Sequence, residues 1–181
     1  MAPHVLVLDF EYTRDLDDAR IAHPTELGAV LVSVEHNSIL QTMSTLFAIK
    51  ADEMRQRKSK LSVGLTREIE TNFASMVMFS AMVESCDYVI SHGKTDAQFC
   101  LGNHHPIPQI KRLFIDALHT RWGAGKGIGL EARCRYHGVP NLCQHRALPD
   151  ALALTQCLLV GGNLQELLAN GVRYDPEMSL K

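Results

Sequence analysis

At 181 residues the chain has room for one domain with a single full core. A composition that is 46% hydrophobic and 21% charged is that of an ordinary globular protein, and no apolar run approaches the roughly 20 residues of a membrane-crossing helix. The net charge of −2 excludes a uniformly basic nucleic-acid coat, yet leaves room for an acidic metal site beside a local basic track.

Five cysteines at irregular spacing (Cys86, Cys100, Cys134, Cys143, Cys157) fit reduced thiols better than a disulfide framework. The first residues carry no basic stretch of the secretory kind. A cytoplasmic protein with no membrane association is the expectation.

Val5 to Leu8 is a continuous apolar stretch, as in a strand buried on both faces, and Asp9-Phe10-Glu11 extends it with alternating side chains. An acidic loop with Asp15, Asp17 and Asp18 follows, then a second strand over Leu27 to Val34. Glu35 to Ser38 reads as a hairpin turn into a third strand, Ile39 to Phe47, completing a meander. Lys50 to Lys60 carries five basic residues and reads as a loop or an exposed helix.

From there the periodicity turns helical. Phe73 to Val83 has two neighbouring apolar faces, one with Phe73, Val77 and Ala81, the other with Met76, Phe79 and Val83. Tyr88 to Ser91 is a fourth strand, a helix begins by Ala97 to Leu101, and Leu113 to Ala117 is a fifth strand. Leu130 to His137 is a helix stopped by Gly138; Pro149 opens another that runs to Val160; a short helix follows at Leu164 to Ala169. The fold class expected is α/β: a mixed five-stranded sheet, three strands in an antiparallel meander and two parallel, flanked by helices. One domain spans 1–181, with a catalytic core at about 4–160 and a C-terminal helix and tail at 161–181.

Asp9 and Glu11 are two apart in a strand, so both leave one face with Cα atoms roughly 6–7 Å apart. Carboxylates so close repel unless a cation neutralises them, and that strand offers no neighbouring Lys or Arg before its end. A divalent ion with oxygen ligands, Mg²⁺ or Mn²⁺, answers the need. Alone, the pair is a weak signal, since such pairs are common at solvated strand ends. Asp96 and Asp150 each sit in the first turn of a helix, where an acid also suits the helix dipole. His145 lies in the loop five residues before Asp150.

In order along the chain, these pieces resemble the DEDDh 3′→5′ exonucleases of the ribonuclease H-like superfamily, which include the bacterial polymerase proofreading subunit. Asp9-Phe10-Glu11 matches the D-x-E motif, and His23-Pro24-Thr25-Glu26-Leu27-Gly28-Ala29-Val30 is similar to the second strand of that family. Gly64-Leu65-Thr66 looks like the turn before its long helix. Tyr88 to Phe99 resembles its second motif, and His145-Arg146-Ala147-Leu148-Pro149-Asp150 meets H-x-A-x-x-D, preceded by a similar helix at 130–139.

The resemblance implies a ribonuclease H-like fold and two Mg²⁺ or Mn²⁺ ions. Asp9 would bridge them, Glu11 and Asp150 would complete one site, and Asp96 would support the other through water. His145 would be the general base, with activity climbing into mild alkali. The substrate implied is the 3′ end of single-stranded DNA or RNA, released as nucleoside 5′-monophosphates; a homodimer or a polymerase or other protein partner is compatible with it. Phe10, Tyr12, Thr13 and His92 are the candidate substrate contacts. Strand alternation turns Phe10 toward the core, which favours Tyr12 as the aromatic wedge. Three positions depart from the family pattern: Tyr12 replaces a small Thr, Gly93 stands where Asn is common, and Thr95 replaces Phe.

Three other readings compete. A non-catalytic binding or polymerase-accessory module could keep the fold, but could also afford to lose ligands that are all present here. Cys134, His137, Cys143 and His145 lie within twelve positions and suggest zinc, though C-x2-H-x5-C-x-H is no usual finger spacing. The glycine-rich stretch Gly123 to Gly129 lacks phosphate-loop spacing and reads as a loop before a helix that could touch substrate.

Overall fold

The computed structural model of the chain describes residues 3–14, 22–47, 73–101 and 107–174. Asp15 to Asp18, the basic run Lys50 to Lys60, the Gly64-Leu65-Thr66 turn and His104-His105 lie outside them. The strands are β1 (His4–Arg14), β2 (Ala22–Ser33), β3 (Ser38–Leu46), β4 (Tyr88–Ser91), β5 (Leu113–Asp116) and β6 (Val172–Tyr174). The helices are α1 (Phe73–Glu84), α2 (Lys94–Leu101), α3 (Leu130–His137), α4 (Ala147–Leu159) and α5 (Asn163–Asn170).

The strands form one mixed sheet in the order β3-β2-β1-β4-β5-β6. The antiparallel meander β1 to β3 and the parallel run β1, β4, β5 appear as expected. The sheet has six strands rather than five: β6 adds antiparallel to β5. Its three residues, Val172-Arg173-Tyr174, offer too few alternations to register as a strand; it is fixed instead by neighbours. The Val172 amide donates to Thr120 Oγ1 and the Tyr174 hydroxyl to Asp116 Oδ2.

Alternation in β1 separates two cores. Leu6, Leu8 and Phe10 join Leu27, Ala29 and Leu31 beneath α1 and α2, through Met76, Phe79, Met82 and Phe99. Val5 and Val7 join Val30 and Val32 on the opposite face, against Ala151, Leu154 and Leu158 of α4 and Leu164 and Leu167 of α5. Asp9 and Glu11 continue the second series, so the sheet aims both toward α4.

In α1 only one of the two apolar faces is used: Met76, Phe79 and Met82 are buried, whereas Phe73 and Val77 are exposed. A helix apolar all round carries no stripe to say which side faces the sheet. Helix α4 begins at Ala147, two residues before Pro149, whose missing N–H costs nothing within the first turn. No helix among the described residues is long and apolar enough to cross a membrane.

Candidate active site

The site lies midway along β1, just past its pairing with β4, where β2, α2 and the N-terminus of α4 meet. Asp9 pairs with Gly28 and Glu11 with Glu26 in the β1–β2 register. Gly28 is there for clearance: a Cβ on it would run into the backbone of Ala147 and Leu148. The missing side chain lets α4 settle onto the sheet and brings Asp150 and His145 to the carboxylates. Just beyond Glu11 the register slips by one residue at Thr25, a bulge that also accommodates Pro24 within β2.

Glu11, Asp150 and His145 converge, each offering one ligand atom within 4.8 Å of the others. Asp150 Oδ2 accepts the His145 backbone N–H at 3.0 Å, and its Oδ1 accepts the Asn141 amide at 2.6 Å. His145 is exposed and stands in the left-handed region at φ +61°, an unusual position for a residue with a side chain. Asp96, in the first turn of α2, is buried and accepts the Phe10 N–H at 3.3 Å. That bond ties α2 to the strand between the two acids of the D-x-E pair.

The electrostatics are those of crowded carboxylates. Burial, then the charges of Asp96, Asp150, Glu11 and Glu26, holds the Asp9 carboxyl well above its ordinary pKa. Burial with Asp150 and Glu26 pushes Glu11 up to about 7, against a smaller opposing pull from Arg146. Burial is also the main cause that raises Asp96 to about 7. A cluster that protonates near neutrality for want of positive charge, with carboxylate oxygens as its donors, is matched to a hard divalent cation.

Three residues central to this arrangement were not singled out in the sequence. Glu26, 1% exposed, directly faces Glu11, and Arg146 meets it with Nε and Nη2 at 2.9–3.2 Å. The ion pair clamps the residue after His145 onto β2. An acid at the mouth of an apolar strand and a guanidinium beside the motif histidine were the available signals. Asn141, in the loop before Asp150, is the third such residue.

The proposed substrate contacts are placed differently from one another. Phe10 faces the core, its ring 6.3 Å from Phe47 and 5.2 Å from Phe99, so it presents no open face to a base. Tyr12 is half-buried between Phe99 and the Arg14 guanidinium, and Thr13 is buried. His92 sits among Arg133, Asp116, His119 and the Ile128 backbone, where burial lowers it to about 4. The four zinc-reading residues do not gather: Cys134 packs on Cys157, His137 stacks on Trp122, Cys143 is exposed, and His145 joins the carboxylates. All five cysteines are free thiols.

No protein-family model matches the sequence, and no curated protein matches it. Solved structures do. The nuclease domain of 3′hExo, a DEDDh family member bound to rAMP, superposes with a TM-score of 0.67 at 12% identity, over 87% of this chain and 90% of that one. A 3′-exonuclease recognising the 3′ end of a histone mRNA stem-loop gives 0.65 at 12% identity, over 87% and 80%. Exonuclease X in complex with 5′ overhanging duplex DNA gives 0.57 at 16%, over 90% and 97%. At such identities the likeness is one of architecture: the chain has the mixed α/β, ribonuclease H-like fold seen in these exonuclease structures.

Proposed function

We propose that the chain is a cytoplasmic, metal-dependent 3′→5′ exonuclease that removes nucleoside 5′-monophosphates from the 3′ end of single-stranded DNA or RNA. The observation that carries this reading is the meeting of Glu11, Asp150 and His145, with Asp9 and Asp96 beside them, on a fold shared with exonucleases. Asp9, Glu11, Asp96 and Asp150 are the residues that would hold two Mg²⁺ or Mn²⁺ ions, which when bound would supply Lewis-acid activation of water and charge stabilisation at the leaving 3′ oxygen.

The protein's own groups do the rest. His145 accepts the proton of the attacking water, its backbone held by Asp150 and its neighbour Arg146 held by Glu26. The Phe10 N–H holds Asp96 in place along β1. Tyr12, rather than Phe10, is the aromatic side chain left near the rim for the terminal base. The experiment offers 5′-labelled single-stranded DNA, duplex DNA and RNA with Mg²⁺ or Mn²⁺ to the wild type and to Asp9→Ala. Stepwise 3′ trimming by the wild type alone is expected; no metal-dependent trimming of any of the three would overturn the reading.

A further inference from the structure

Strands β1, β4 and β5 run parallel with Leu8, Ser91 and Asp116 in register, so the chain leaves β4 and β5 at the same edge of the sheet, level with Leu8 of β1. The carboxylates occupy the β1 end of that edge. The β5 end lies two strand spacings away, about 10 Å. The two ends feel each other, since the Asp116 charge adds to the rise of Asp96.

The segments that leave β4 and β5 present exposed cations there: Lys94 at the start of α2, then Arg121 and Lys126 after β5. The acids close to them are already engaged. Asp116 is fully buried and accepts from the amides of Leu118 and His119, the His119 ring and the Tyr174 hydroxyl. Glu166 accepts the Gly123 amide.

The loop that carries Lys126 is held in shape. Gly125 and Gly127 adopt φ +125° and +71°, and their amides donate to the carbonyls of Trp122 and Leu118. Beneath it lies Arg133, 0% exposed, its guanidinium 3.9 Å over the Trp122 ring and donating to the carbonyls of Trp122, Ala117 and Gly125. Among the described residues the partners of this buried cation are carbonyls, and its Nε has none. Its positive charge therefore stands under the loop with no carboxylate bonded to it among those residues, in a medium that screens it poorly. His92, tucked in the same place, keeps a buried Nε2 without a partner.

We propose that this edge, Lys94, Arg121 and Lys126 over buried Arg133, is a shelf that binds the backbone phosphates of the polynucleotide strand leading to the carboxylates. The proposal rests on the exonuclease reading and adds where the uncleaved strand lies. Contact by charge rather than by base edge makes the shelf indifferent to sequence and sensitive to salt.

The test uses the full chain and the double variant R121E/K126E, with R121A/K126A as the milder pair. Steady-state KM is measured for a single-stranded 20-mer and for a dinucleotide, and anisotropy of a labelled 20-mer is titrated with Ca²⁺ in place of Mg²⁺. The shelf predicts that the charge reversal erodes the 20-mer's KM advantage over the dinucleotide at least fivefold. It also predicts that the salt slope of log Kd shrinks by about 1.4, two phosphate contacts at roughly 0.7 each. If advantage and slope both persist in the charge-reversed chain at its wild-type melting temperature, the shelf is wrong. A wild type that binds the 20-mer but cleaves nothing overturns the exonuclease reading alone, and the anisotropy slopes then decide the shelf by themselves.

Discussion

Asp9 and Glu11 are held in a position that favours their protonated forms, and the direction of that preference can be measured. Folded Glu11 and Asp96 keep protons up to about pH 7, whereas carboxylates of the unfolded chain release them near about pH 4. Between those values the folded state binds more protons, so metal-free stability is highest at the acid end and is lost as pH rises through 7. Urea melts in EDTA should show a higher midpoint at pH 5.5 than at pH 8, and Mg²⁺ or Mn²⁺ should restore the loss most strongly at pH 8; a flat EDTA series would contradict this. By the same logic Asp9→Asn should raise metal-free stability at pH 8 by about 1 kcal/mol or more while abolishing metal-dependent cleavage, read by the same melts and by product gels. His145→Ala removes the proposed proton acceptor and little packing, since the side chain is exposed. Its single-turnover rate should fall by about 10²–10⁴-fold with stability changed by less than about 1 kcal/mol.

At the scale of elements, the site depends on how α4 is seated. Gly28→Ala puts a methyl group into the backbone of Ala147 and Leu148, and α4 has to lift. A stability loss of about 2 kcal/mol or more, with weaker metal binding by calorimetry, is the expected outcome. Arg146→Ala leaves the buried Glu26 carboxylate facing Glu11 without its partner. That should cost about 2 kcal/mol, discounted because the arginine is itself 42% exposed, and Glu26→Gln in the same chain should recover part of it in denaturant melts. These elements show what the chain discloses in its sequence. Alternation in β1 correctly separates Phe10 from Asp9 and Glu11, and the helix starts place Asp96 and Asp150. The pairing of Glu26 with Arg146 is invisible, because contacts between residues 120 positions apart leave no local period. Likewise α1 is legible as a helix but not in orientation, and β6 is too short to announce itself.

For the whole molecule, one sheet supports two packed faces and concentrates its chemistry at a single edge. The face under α1 and α2 is apolar to the strand end, with Phe10 closing it. The face under α4 is apolar only as far as Val7, where the acids begin. The class of fold follows from the order of strand and helix patterns. The use of β1 as the hinge between antiparallel and parallel pairing was legible only through the family resemblance of the motifs.

That hinge strand also sets the order in which the molecule can come together. Its pairing with β2 needs only a short excursion of chain, while its junction with β4 includes the His4 amide donating to Asp87, 83 positions away, and the Glu26–Arg146 clasp spans 120. Distant closures are slow, so the meander can form while its acids still face water and lack α4. Full assembly of the acid cluster therefore requires the long-range closure of α4 onto the meander.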